Sequence, residues 1–234
     1  MYETVHATPD GQSTVSRFAA TAAAQGFDGV VVRNHQDART EFDAAAIRDA
    51  FGIDVVRGVE IRTDDRSRAS GYLGSFRSEY EVVMVRGGSR AINRFAVESD
   101  AVDVLADPMR EDGDVNHVLA RAAREHGVRL EFNLAPVLRA TGGRRVRALQ
   151  GLRKLRELVE QYEPPYVVSG DPRSHLALRA PRELVAVGEA VGFTEEQIRT
   201  GLTEWRRLAE RNRERLSDEF IAPGVERGRY EEER

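Results

Sequence analysis

Residues 81–108 read EVVMVRGGSRAINRFAVESDAVDVLADP, and they set out a strand, a glycine turn, a helix and a second strand in 28 residues. Val82 to Val85 form an unbroken apolar run, the pattern of a strand covered on both faces in a parallel sheet. Arg86, Gly87, Gly88 and Ser89 follow. Two glycines let the backbone turn tightly and approach a ligand, and Ser89 suits the N-cap of a helix starting near Arg90, whose free amides can face an anion. On that helix Arg90, Asn93 and Arg94 share one face at i, i+3 and i+4, while Ile92, Phe95 and Ala96 turn toward the sheet. A cluster of arginines at a strand-to-helix junction suits a phosphate backbone. From the pattern alone, arginines near a strand end are more often solvated or salt-bridged than ligand-binding.

The same alternation runs through the chain. The pattern predicts strands at 4–7, 29–33, 55–61, 82–86, 102–105, 128–133 and 166–169. Helices are predicted near 12–25, 40–51, 70–78, 89–98, 114–126 and 143–162, then at 182–191 and from about 194 to 216. Strict alternation implies parallel pairing through crossover helices. Seven strands in this length favour a TIM-like (β/α) barrel over an open doubly wound sheet. Residues 1–217 are expected to form one domain. Residues 218–234, rich in Pro, Gly, Arg and Glu, are expected to be a disordered tail.

Composition narrows the chemistry. The 234 residues are 41% hydrophobic, enough for a sizeable core, and there is no cysteine, which excludes disulfides, thiolate zinc sites and cysteine nucleophiles. No apolar run approaches a membrane span and the N-terminus lacks a signal core, so a cytoplasmic location and no membrane partner are expected. Lys154 is the only lysine among 35 basic residues, against 39 acidic ones, for a net charge of −4. Lysine depletion with acidic excess fits the cytoplasm of a halophilic archaeon. There the Debye length falls to about 3 Å at molar salt, so only short-range contacts survive. Planar guanidinium groups paired to phosphates keep their geometric specificity under those conditions.

Beyond the first stretch, the ordered set VRGGSRAINRFAVES, VDVLADP and LARAAREHGVRLEFNL resembles the archaeal thirty-kilodalton ribonuclease P subunit family, protein component 3. GFDGVVVRN at 26–34, RGVEIR at 57–62, the basic helix containing RRVRALQGLRKLREL, and VVSGDPRSHLALRAPREL at 167–184 extend the resemblance over residues 1–216. It implies the same barrel and a role in the ribonucleoprotein endoribonuclease that removes the 5′ leader from precursor tRNA. It further implies that the RNA is the catalyst, that a divalent metal (Mg) serves the RNA component, and that the protein binds no cofactor itself. Its partners would be ribonuclease P RNA, the other protein subunits including a small paired one, and precursor tRNA in the holoenzyme.

No catalytic residue is assigned. The same barrel type also serves metal-dependent phosphoesterases, which begin with a His-x-His pair after the first strand. This chain reads Val5-His6-Ala7-Thr8 there, so no metal ligands are expected; His6 with Glu60, Asp107 and His175 is the one conceivable set. The expected RNA-binding residues are Arg33, Asn34, Arg62, Arg86, Gly87, Gly88, Ser89, Arg90, Asn93 and Arg94, together with Arg144, Arg145 and Arg147 on the basic helix. Two alternatives stay open: a PHP-type phosphoesterase, and a barrel that binds sugar or nucleotide phosphates without RNA.

Overall fold

Val82–Arg86 forms the fourth strand, β4, and its four apolar residues are buried in the computed structural model, which describes residues 1–217, 220–222 and 225–226. Around it lie β1 (Tyr2–Val5), β2 (Gly29–Val32), β3 (Asp54–Ile61), β5 (Val104–Ala106), β6 (Arg129–Asn133) and β7 (Tyr166–Ser169). The seven stand side by side in chain order, every neighbouring pair parallel. An open doubly wound sheet needs a reversal of strand order, and there is none. The sheet curls until the ends of β1 and β7 meet, where His6 donates its backbone N–H to the Pro172 carbonyl at 3.1 Å.

The crossovers are α1 (Val15–Ala24), α2 (Ala44–Phe51), α3 (Arg66–Phe76), α4 (Arg90–Val97) and α5 (His117–Glu125), then α6 (Ala135–Arg139) and α7 (Gly142–Tyr162). Two further helices, α8 (Pro181–Val191) and α9 (Glu195–Leu216), follow β7. Helix starts follow their caps. Thr14, Asp43, Asp65, Ser89 and Asn116 each accept a backbone N–H from the first turn that follows. The Asp65 cap moves the start of α3 four residues ahead of the predicted one. The short α6 was not predicted.

Alternation along the strands divides the apolar residues into two sets. One set, including Val30, Val83, Val85, Leu130 and Phe132, packs outward with Phe18, Ile92 and other helical residues. The other, Tyr2, Val31, Val56, Val82, Met84, Val104 and Val167, lines the N-terminal half of the barrel interior with Trp205, Leu208 and Ala209 of α9. Helix α9 therefore plugs the bottom. Trp205 is fully buried and donates its indole N–H to the Val168 carbonyl at 2.8 Å. Arginines fasten the plug: Arg129 to Glu204 at 2.8 Å, Arg211 to Asp103 at 2.8 Å, and Arg213 to Asp54 at 2.8 Å.

Most of the expected tail lies outside the described residues. Within it, β8 (Phe220–Ala222) and β9 (Val225–Glu226) pair antiparallel.

Candidate functional site

With the bottom filled by apolar side chains, the inward positions nearer the C-terminal ends of the strands carry charge. Arg33, just after β2, points into the barrel and is 1% exposed. Its Nε donates to Glu60 Oε2 at 2.8 Å, Nη1 pairs with Glu131 Oε1 and reaches Thr4 Oγ1 at 3.3 Å, and Nε lies 3.9 Å from Asp171. Ser169 donates its hydroxyl to Glu131 Oε1 at 2.6 Å, and the Asp107 N–H donates to Glu131 Oε2 at 3.0 Å. Three strands and the loop after β7 thus send groups to one guanidinium.

Two histidines sit above. His6 Nδ1 lies 2.7 Å from Asp10 Oδ2 and its Nε2 lies 3.0 Å from Asp171 Oδ1. His35 Nδ1 lies 2.7 Å from the same Asp10 oxygen. Arg86 Nη1 contacts His35 Nε2 at 3.0 Å and Glu60 Oε1 at 3.2 Å, while Nη2 reaches Asp107 Oδ2 at 3.4 Å.

The electrostatics follow from this packing. Burial opposes the charge on His6, but the Asp171 carboxylate and the bonds to Asp10 and Asp171 outweigh it and raise its pKa to about 9. Burial likewise opposes ionisation of Asp10, Glu60 and Asp171, yet each is held below the usual carboxylate range, Asp10 by both histidines, Glu60 and Asp171 above all by Arg33. Asp107 behaves oppositely. Burial, together with Glu131 and Asp171 nearby, pushes its carboxyl up to about 7.

His6, Asp10 and His35 bring ligand-type atoms within 4.8 Å of one another, the spacing of a possible cation site. The surroundings do not suit one. The Asp10 oxygen already lies 2.7 Å from a ring nitrogen of each histidine, and Glu60 close by is paired with the Arg33 and Arg86 guanidinium groups. His175 stands elsewhere, its Nδ1 2.8 Å from Ser13 Oγ. The set containing His175 is therefore not assembled. Asp10 and Glu131, which complete the network, carried no local signal: one sits in a loop and the other reads as an ordinary strand residue.

The expected RNA-binding residues separate into three groups. Arg33 and Asn34 are interior, correcting their expected position at the surface. Asn34 exchanges hydrogen bonds with the Ala7 backbone at 2.7 and 2.8 Å and holds the loop after β1. Asn93 is also buried, not beside Arg90 and Arg94 in solvent: it donates to the Pro108 carbonyl at 2.7 Å and to the Asp114 carbonyl at 3.2 Å. The helix leans so that this side chain ties down the loop after β5. Gly87 and Gly88 are buried as well. A Cβ on Gly87 would lie 2.5 Å from Asn93 Oδ1, and Gly88 has φ +142°, which explains the glycine pair without invoking a ligand.

Other members are accessible. Arg90 and Arg94 are exposed, Arg94 pairing with Glu98 at 2.7 Å, and Ser89 accepts the Ile92 N–H at 3.3 Å as the cap of α4. Arg62 is exposed and pairs with Asp37 at 3.2 Å. Arg144, Arg145 and Arg147 stand exposed on the first turns of α7. Arg86, Arg144 and Arg147, distant in sequence, line one cavity of about 510 Å³ at the barrel mouth.

Fold and site together define a TIM-like (β/α) barrel whose interior below the mouth is filled by arginine-centred ion pairs. Histidinol phosphate phosphatase from Lactococcus lactis, solved with zinc, shares that fold at a TM-score of 0.55 and 12% identity, with 82% of this chain and 94% of that one aligned. The family model for RNase P subunit p30 matches residues 1–217, and this chain belongs to that family. Ribonuclease P protein component 3 of Haloarcula marismortui is 60% identical over 96% of both chains. That of Halobacterium salinarum is 60% identical over the whole of both, and that of Methanosarcina mazei is 34% identical over 95% and 92%. A chain from a cryo-EM structure of archaeal ribonuclease P with mature tRNA superposes along its full length with a TM-score of 0.83 at 24% identity. The protein is thus a subunit of ribonuclease P, and the halophile-like composition accords with its relatives. No helix among the described residues is long and apolar enough to cross a membrane.

Proposed function

We propose that this chain serves ribonuclease P in the cytoplasm by holding the RNA component in its working shape, through arginines round the barrel mouth and on α4. Leader removal from precursor tRNA would then be the chemistry of the RNA and its divalent magnesium, with a small second protein subunit paired to this one. The observation that carries the reading is the division of labour among the arginines. Arg33 is consumed inside by Glu60 and Glu131, whereas Arg90, Arg144 and Arg147 stand exposed. Exposed guanidinium groups can form paired hydrogen bonds to phosphates at short range, the regime that survives high salt.

The metal-dependent phosphoesterase reading is disfavoured by the same network, in which Arg33 and Arg86 already pair with the buried carboxylates Glu60 and Glu131. Reconstitution tests the proposal. The purified chain should leave precursor tRNA intact, and the assembled particle should cleave it. Cleavage by the chain alone, abolished by His6→Ala, would overturn the assignment of catalysis to the RNA.

A further inference from the structure

The cavity at the mouth has a composition that the neutralised network beneath it does not explain. Its volume of about 510 Å³ falls within the range of small-molecule sites, and its place at the C-terminal face is where barrels of this kind put their ligands. Met109, Pro136, Leu152 and Leu155 supply apolar walls. Arg144 and Arg147 stand at the opening on the first turns of α7.

The polar groups inside are unequal. Glu131 is saturated by Arg33, Ser169 and the Asp107 N–H, and Asn133 is spent on Asp171 at 3.1 Å and on the Ala135 N–H at 2.8 Å. Asp107 is not. Its carboxylate has one long contact, to Arg86 at 3.4 Å, and its backbone is held at φ +49°, a left-handed conformation that aspartate adopts more readily than most residues. Arg86 Nε is buried with no hydrogen-bond partner among the described residues. The pocket therefore offers apolar faces, the Asp107 carboxyl as an acceptor inside, and at its rim the cations Arg144 and Arg147 beside the Arg110–Glu111 pair.

We infer that this cavity receives a single unstacked nucleotide of an RNA, its base between the apolar walls with a ring or exocyclic N–H on Asp107, and its phosphate at Arg144 and Arg147. This rests on the RNA-holding reading above and adds the unit that is bound. A sugar phosphate would leave the apolar walls without a partner. An unpaired base supplies flat faces and N–H donors together, and single-stranded RNA is commonly recognised in that way.

The test has two arms. In the first, the wild-type chain at high salt is titrated with GMP, AMP, CMP, UMP and inorganic phosphate, followed by amide chemical shifts. At least one nucleotide should bind ten times more tightly than phosphate, with shifts at residues 107–110 and 144–152. Ala148→Trp, which fills the half-buried wall, should reduce that binding at least tenfold, and Asp107→Asn should change the order among the four bases. Should Ala148→Trp fail to fold, Arg144→Glu with Arg147→Glu, both exposed, gives the same comparison. Equal binding of phosphate and nucleotides, or no nucleotide binding, overturns the inference. In the second arm the RNA component is bound by each variant, and Ala148→Trp should weaken it about tenfold. Nucleotide binding with unchanged RNA affinity would make this a free-nucleotide site and overturn the RNA assignment. A wild-type chain that failed to bind the RNA at all would instead remove the underlying reading.

Discussion

The carboxylate of Glu3, on β1, accepts the backbone N–H of Gly170, just beyond β7, at 2.9 Å. Among the described residues β1 and β7 share no strand ladder, so this side chain adds to the His6–Pro172 backbone bond in closing the barrel. A Cβ at position 170 would lie 2.8 Å from the Glu3 oxygen, so a larger residue there would have to push that carboxyl aside.

Glu3 should make stability depend on pH. Burial raises its pKa from 4.5 to about 8, against the opposing pull of the Thr4 and Gly170 N–H groups. The folded state keeps the proton above the pH at which the unfolded chain loses it, so this contribution is complete below about pH 4.5 and is lost as pH rises through 8. Glu3→Gln cannot ionise, and its amide oxygen can still accept the Gly170 N–H. Denaturation midpoints at high salt should favour Glu3→Gln over wild type at pH 9 but not at pH 5; parallel curves would count against it.

His6 carries a second pH dependence. Its folded pKa of about 9 exceeds the ordinary 6.5, so the stability it adds is fully present below pH 6.5 and drains away as pH climbs through 9. His6→Gln should lower the melting temperature at pH 6 and lose less than wild type does between pH 6.5 and 9.5. NMR titration of the His6 ring gives a direct check. A midpoint near 6.5 would show that the Asp10 and Asp171 contacts are weaker than the geometry implies.

Arg33→Met should be strongly destabilising. Removing the guanidinium leaves Glu60 and Glu131 facing each other inside the barrel, and breaking a buried ion pair in this way costs about 3 to 5 kcal/mol. Arg33→Lys should be nearly as damaging, because an ammonium cannot reproduce the forked contacts to both carboxylates. Urea unfolding at fixed molar salt would measure both. A loss below about 1 kcal/mol for either variant would mean that the network tolerates rearrangement.

Asn93 and its exposed neighbours on α4 should part company in experiment. Asn93→Ala leaves the Pro108 and Asp114 carbonyls without their donor and should cost about 1 to 3 kcal/mol of stability. Arg90→Ala with Arg94→Ala should leave the fold unchanged by circular dichroism and weaken assembly with the RNA more than tenfold. The double lysine variant should resemble the alanine one at molar salt and recover partly at low salt. Equal RNA affinity for wild type and the double alanine variant would move the main contact to Arg144, Arg145 and Arg147.

Local sequence alone determined the seven parallel strands, the glycine turn after Val85 and the capped helix behind it, because these depend on periodicity and on backbone rules acting within a few residues. It also carried the family resemblance and the reliance on arginine in place of lysine. It could not tell Arg33 from Arg86 or Asn93 from Arg94. Each member of those pairs occupies the same kind of local position, a strand end or one helical face. Which of them is buried depends on groups arriving from far along the chain: Glu60 and Glu131 surround Arg33, while Pro108 and Asp114 cover Asn93. Closing the sheet into a barrel turned one face of every strand inward, and a charge is tolerated there only when its counter-charges come from other strands. Tertiary structure therefore decided which arginines became part of the barrel and which stayed at the surface.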